Sequence, residues 1–202
     1  EDSARISVLK FHQLPLWNPY YCGGIYALGT PSARFTAPTF LLSLVFGTLR
    51  SSSLVAVLAT IAGLEGTYRY ARARGAGPLG ATLAAPLFAL SGFFPRSAAF
   101  EWINFFGFEL LPWAALGLRR GMQGSLRGAL LAAGAVGWMT CFGGTYAAPY
   151  MLLIGAWEAA EALWRLRRDR SRIRVAIGNV ALAAVLAAGL SAVRLWPIAE
   201  TL

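Results

Sequence analysis

Charge is scarce in this chain. Only 13% of its 202 residues are Asp, Glu, Lys or Arg, roughly half the share usual in soluble domains. A soluble domain of this size has too little polar surface to cover the rest, of which 57% of the chain is hydrophobic. A bilayer removes the difficulty by acting as the solvent. Lysine is nearly absent: 17 of the 18 basic residues are Arg, a bias read as genome composition rather than chemistry. Histidine occurs once, at His12, so the chain cannot build a histidine metal site. Two cysteines, Cys22 and Cys141, make no metal-binding spacing. There is no Walker-type phosphate loop, no dinucleotide fingerprint and no Ser-His-Asp set that can be placed, which excludes a cytosolic ATPase. No internal repeat is visible, and no charged-then-apolar signal segment opens the chain. The sequence starts in polar residues without Met and stops at Leu202 without a tail. It is therefore expected to be a piece of a longer protein, or one processed at its N-terminus.

What is present is a series of apolar runs. Six fall at about 51–68, 78–95, 104–118, 128–141, 147–164 and 175–193. They are rich in Ala, Leu, Gly and Val, and their small residues allow close helix approach in a membrane. A shorter run at 39–49 has eleven residues, about 16 Å of helix, roughly half a hydrocarbon core. It is read as interfacial or re-entrant. The expected fold class is all-α: a polytopic transmembrane bundle of about six spans, with an outer segment at 1–50 and a helical domain at 51–202.

The formal charge of +9 would suggest nucleic acid in a soluble protein. Here its distribution sets orientation instead, and no nucleic-acid partner is expected. Arg69, Arg72 and Arg74 follow the first span; Arg119, Arg120 and Arg127 lie between the third and fourth. Arg165, Arg167, Arg168, Arg170, Arg172 and Arg174 lie between the fifth and sixth. These alternate loops hold 12 of the 18 basic residues, and the positive-inside rule places them in the cytoplasm. Residues 1–50, 96–103, 142–146 and 194–202 then face outward. Membrane lipids are expected partners, and binding of anionic headgroups by the run 165–174 is generic.

Four places carry unusual residues. The first is outward-facing and aromatic, with His12, Gln13, Trp17, Asn18, Tyr20 and Tyr21 braced by Pro15, Pro19 and the pair Gly23-Gly24. Rings beside Asn, Gln and His suit a sugar or a lipid headgroup. The same residues also suit an interfacial loop whose Trp and Tyr rest at headgroup level. The second is the outer loop with Arg96, Glu101 and Trp102, under a roof formed by residues 1–37. A carboxylate there can bind a divalent metal or act as a general base, or be merely solvated. The third is the set of acids within spans. Glu65 precedes Arg69 by four residues, the order of a helical ion pair, and Glu158 and Glu161, close to Arg165, are expected to form a snorkelled salt bridge with it. Glu158 shares a face with Glu161. Glu109 has no opposite charge nearby in sequence, and is either a functional acid or a hydrogen-bonded neutral carboxyl. The fourth is the turn Gly143-Gly144, with Pro149 suited to the first turn of the next helix. Cys22 and Cys141 map to the same side, where a disulfide is permitted.

The run Leu14-Pro15-Leu16-Trp17-Asn18-Pro19-Tyr20-Tyr21-Cys22-Gly23-Gly24, with Gly29-Thr30-Pro31-Ser32 and Ala37-Pro38-Thr39-Phe40-Leu41-Leu42 after it, resembles YfhO-like bacterial membrane proteins and related GT-C class glycosyltransferases. Ser91-Gly92-Phe93-Phe94, Leu111-Pro112-Trp113, Gly143-Gly144-Thr145-Tyr146 and Arg194-Leu195-Trp196-Pro197 look like later landmarks in the same order. The resemblance implies transfer of a sugar from a polyprenyl-phosphate donor to a glycan, lipid or protein acceptor. The reaction would occur on the outer side of the bacterial cytoplasmic (inner) membrane, in cell-envelope synthesis. It implies an outer-loop acid, for which Asp2 and Glu101 are the candidates, and it allows a divalent ion such as Mg or Mn. Arg96, with Arg34 and Arg50 as further choices, would face the lipid phosphate. Trp17, Tyr20 and Trp102 would stack on sugar or prenyl groups, with His12 and Asn18 beside them. Glu101 departs from the family pattern, which often has His or another polar residue in that loop. A transporter with Glu109 in its path and a non-catalytic membrane subunit remain as other readings.

Overall fold

The computed structural model describes residues 2–20, 23–27, 35–100 and 102–201, and it is mostly helical. A first helix, α1 (Asp2–Phe11), leads into a two-stranded antiparallel ribbon, β1 (Trp17–Asn18) and β2 (Ile25–Tyr26), in the register Trp17 to Tyr26 and Asn18 to Ile25. The helices that follow are α2 (Phe40–Phe46), α3 (Thr48–Ala73), α4 (Pro78–Ala89), α5 (Phe93–Ala99), α6 (Leu111–Met122), α7 (Leu126–Cys141), α8 (Ala148–Leu166) and α9 (Arg170–Thr201). All six long apolar runs are helical. Residues 2–11, expected only as part of the outer segment, form a helix with an acidic first turn and a basic last turn, which suits the helix dipole.

Among the described residues three helical stretches are long and apolar enough to cross a membrane: Thr48–Ala73, Pro78–Ala99 and Arg170–Trp196. At 26, 22 and 27 residues they reach about 39, 33 and 40 Å, against a hydrocarbon core of about 30 Å. The second is broken between α4 and α5, where Leu90 leaves helical geometry and Ser91 and Gly92 re-aim the chain. The expected third run begins differently too. Residues Ile103–Leu110 form a 3-10 turn that feeds α6, with Pro112 in the first turn of α6. Proline is tolerated there because that amide has no helical acceptor. Pro78 and Pro149 hold the same position in α4 and α8. Ser125 caps α7 by accepting from the Gly128 amide at 3.2 Å. The segment around 39–49 is split: α2 has only seven residues, about 10 Å, and Gly47 at φ 78° turns the chain into α3.

Small residues set the packing. A Cβ on Gly117 of α6 would lie 2.5 Å from the Ala132 backbone nitrogen of α7, and one on Gly128 would lie 2.6 Å from the Gly121 nitrogen. The two backbones therefore touch, as in small-xxx-small membrane seams. On α3, Gly63 receives the Glu109 side chain and Gly66 receives the Trp113 indole, whose Nε1 donates to the Ala62 carbonyl at 2.8 Å. Gly137 of α7 seats Leu190 of α9. The interior is thus lined by Ala and Gly, while Leu58, Ile61, Leu87, Leu152, Val185 and Val193 point outward and are exposed. That inside-out distribution is what a lipid solvent permits and water opposes.

Candidate functional site

The two ends of the bundle differ. One end gathers the arginine-bearing turns. Arg74 after α3 and Arg119 on α6 both pair with Glu158 and Glu161 on α8: Arg74 to Glu158 at 3.2 Å, Arg119 to Glu158 at 3.0 Å and to Glu161 at 3.3 Å, with Arg74 and Glu161 in direct contact. Tyr70 donates its hydroxyl proton to Glu158 at 2.6 Å. Arg165 closes the set on Glu161. Glu158 and Arg119 are almost fully buried, at 2% and 7% exposure. Burial pulls the Arg74 pKa down, but the hydrogen bond to Glu161 and the charge of Glu158 outweigh it and raise it above its ordinary value. A salt bridge of Arg165 with Glu158 or Glu161 was expected, and Glu161 makes it; the pair of Glu65 with Arg69, at 2.5 Å, was expected from spacing. Arg74 and Arg119 were read as loop charges. Their pairing was invisible because their partners are 39 to 87 residues away.

The other end carries the aromatic segment. From Thr48 to Ala73, α3 separates the two ends by about 39 Å. At its start Thr48 donates to the Asp2 carboxylate, and Arg5 donates from Nε to the Ser43 carbonyl at 2.9 Å, so α1 is pinned across α2 and α3. The Gln13 amide donates to the Ser7 carbonyl at 3.0 Å, and His12 sits at φ 53°, exposed, where the chain leaves α1. The Leu16 carbonyl then accepts from the Ala27 amide at 2.8 Å, extending the ribbon. The Asn18 side chain accepts from the Tyr20 amide at 3.1 Å, a local turn that aims Tyr20 outward. Between α1 and the ribbon lies a cavity of about 450 Å³, lined by Ser3, Ser7, Gln13, Trp17, Pro19 and Tyr20 among others. Trp17 and Tyr20 are 56% and 72% exposed.

Gly24 explains how Trp17 is held. A Cβ there would lie 2.3 Å from the Trp17 ring, so the indole packs directly against the glycine while also lining the cavity. Gly24→Ala is expected to lift the indole from this seat, with added strain because Gly24 has φ 113°. A shifted Trp17 emission maximum, measured with the remaining tryptophans replaced by Phe, checks this.

Of the residues singled out from sequence, Trp17 and Tyr20 line one cavity, while His12 and Asn18 shape the turns beside it. Asp2 does not line it; its carboxylate is engaged by Thr48. Arg96 and Trp102 form a separate group. The Arg96 guanidinium lies 5.8 Å from the Phe100 ring centroid, and Phe100 stacks on Trp102 at 5.4 Å. From Trp102 an aromatic relay continues through Phe105 to Tyr146. Among the described residues no hydrogen bond, ion pair or ring contact joins Arg96 or Trp102 to the cavity beside α1, so the expected roof over that loop is not visible in these contacts. Glu101 and Arg34 lie outside the described residues, and Arg50 is exposed on the first turn of α3. Cys22 also lies outside them; Cys141 carries a free thiol that donates to the Leu190 carbonyl at 3.6 Å. Among the described residues no three His, Cys, Asp or Glu side chains come together. Glu109 is fully buried, and neither of its carboxyl oxygens has a hydrogen-bond partner among them.

No protein-family model, no curated protein and no solved structure matches the chain.

Proposed function

We propose that this chain is part of a GT-C class membrane glycosyltransferase. It would transfer a sugar from a polyprenyl-phosphate donor to a glycan, lipid or protein acceptor at the outer face of the bacterial cytoplasmic membrane. The observation that supports this reading best is the cavity beside α1. It presents an exposed indole and an exposed phenol over serine hydroxyls and an amide, at the end of the bundle opposite the arginines. Flat rings beside hydroxyl and amide groups suit the apolar face and the hydroxyl rim of a sugar. In this reading the chain crosses six times. The 3-10 turn with α6 supplies one of the shorter crossings, and α7 and α8, of 16 and 19 residues, supply two of about 24 and 28 Å. The convergence of Arg74, Arg119 and Arg165 at one end supports a cytoplasmic side there, with residues 1–50 outside.

The chemistry is a displacement at the anomeric carbon. An outer carboxylate, Glu101 or Asp2, takes the proton of the acceptor hydroxyl as the new glycosidic bond forms. The bond to the lipid phosphate breaks, and Arg96, exposed beside Phe100, stabilises the departing anion. The test is transfer from a radiolabelled polyprenyl-phosphate sugar by the full-length protein. Glu101→Gln or Asp2→Asn is expected to lower turnover by about 100-fold or more, within the range of general-base catalysis. Trp17→Ala is expected to raise KM more than it lowers kcat. Unchanged transfer in both acid variants removes those two residues from the site. Donor binding without any turnover favours a second reading, a transporter; the buried Glu109, with no partner among the described residues, is the observation that supports that one.

A further inference from the structure

A groove of about 590 Å³ runs between α6, α7, α8 and α9, walled by side chains such as Met139, Met151, Gly155, Ala159, Ala183 and Ala187. The one hydroxyl among its described lining residues, Thr140, donates to the Val136 carbonyl at 2.9 Å, so the wall they form is chemically apolar. A second, small space continues from it towards the arginine end, and Met122 lines both. That space is edged by Arg119, Gln123, Glu158, Glu161 and Arg165. Along α8 the wall is one helix face: Gly155, Ala159, Ala162 and Leu166 follow the i, i+4, i+7, i+11 spacing. An apolar slot thus opens directly onto a rim of paired charges, two Arg and two Glu.

The dimensions and the charge select the occupant. From Met151 to Ala159 the slot extends about 12 Å along α8, close to the ~15 Å hydrocarbon depth of a single leaflet. At the rim, Glu158 and Glu161 are consumed by Arg74, Arg119 and Arg165, and Asp169 by Arg172 at 3.2 Å. Arg167, Arg168, Arg170 and Arg174 are exposed and have no acidic partner among the described residues. Arg167 lies 4.4 Å from the ring centroid of Trp164, which is 70% exposed, an amphipathic pair suited to headgroup level. Unpaired cations on the turn that directly follows the rim residues Arg165 and Leu166, beside a slot close to one leaflet deep, match one molecule: a lipid with a negative head.

We infer that the groove between α8 and α9 is a binding site for an anionic phospholipid, with one acyl chain in the slot and the phosphate headgroup on Arg165 and Arg167. This site lies at the opposite end from the cavity beside α1 and does not depend on the glycosyltransferase reading.

The full chain is reconstituted in nanodiscs with phosphatidylglycerol carrying a diazirine near the end of one acyl chain, irradiated and mapped by peptide mass spectrometry. Adducts are expected on α8 and α9 around Gly155–Ala159 and Val180–Ala187. Unlabelled phosphatidylglycerol is expected to compete at least five-fold better than phosphatidylcholine. Arg165→Gln with Arg167→Gln is expected to bring the two competitors level while leaving the protein folded, since both side chains are exposed. Gly155→Phe is expected to remove the α8 adducts by filling the slot; Gly155→Ala, whose Cβ meets only Leu118 at 3.7 Å, is expected to keep them and controls for folding. Equal competition by the two lipids on the unaltered protein overturns the proposal. So does labelling spread evenly over the exposed faces of α3 and α9, or a groove left unlabelled because other protein covers it.

Discussion

Gly117→Leu is expected to unfold the centre of the bundle. The α6 backbone approaches Ala132 so closely that even one added carbon would stand 2.5 Å from a backbone nitrogen and 2.8 Å from a Cα. Neither atom can move without shifting all of α7. Overpacking of this kind costs about 3 kcal/mol or more when the obstruction is backbone rather than a flexible side chain. Much of that cost falls where α6 is most buried, across Ala114, Ala115 and Leu116. The variant is expected to lose its monodisperse peak in detergent size-exclusion chromatography, and Gly117→Ala to lower the melting temperature clearly. Gly134→Ala, on the neighbouring helix with nothing within 4 Å, is expected to leave it unchanged or raise it slightly, because Ala is the better helix former by about 1 kcal/mol. Equal melting temperatures for the Gly117 and Gly134 alanine variants would mean that the helices are not in backbone contact.

The second large effect is expected at Glu158. Its carboxylate collects Tyr70, Arg74 and Arg119 from two other helices in a nearly water-free position. Glu158→Ala leaves Arg119 buried beside fewer acceptors, and breaking a buried pair from one side costs about 3–5 kcal/mol. Removing both partners should cost less, because no charge is then stranded. Glu158→Leu with Arg119→Met is therefore expected to recover a large part of the loss in the melting temperature. The double-mutant cycle is the measurement. A double variant as unstable as the sum of the single ones would show that Glu158 and Arg119 act independently.

Much of the helix pattern was legible in the sequence because it depends on near neighbours. The six apolar runs, the prolines at helix starts and the pairs Glu65 with Arg69 and Glu161 with Arg165 all lie within one or two turns of their cause. The break between α4 and α5 and the 3-10 entry to α6 were not legible. Both sit inside largely apolar runs, where hydropathy does not report the change of backbone. The ion cluster escaped for a related reason. Arg74 and Arg119 look like every other arginine beside a turn, and only the close seams at Gly117, Gly121 and Gly128 carry Arg119 inward. At the candidate site, the aromatic composition pointed to Trp17 and Tyr20, but the seat that Gly24 provides for Trp17 needed the fold of the ribbon. The Arg96 and Trp102 pair was grouped with them by side of the membrane alone. Sharing a side says nothing about sharing a cavity.

Thr36 has a consequence for how the molecule is made. Its hydroxyl donates to the Cys141 carbonyl at 3.1 Å and accepts from Arg194 at 3.2 Å. The two partners follow it by 105 and 158 residues. A chain inserted from its N-terminus therefore exposes the segment before α2 early, yet cannot fasten it until α9 has emerged. The segment before α2 is made first and fastened last, and a chain interrupted before Arg194 would carry Thr36 without one of its two partners.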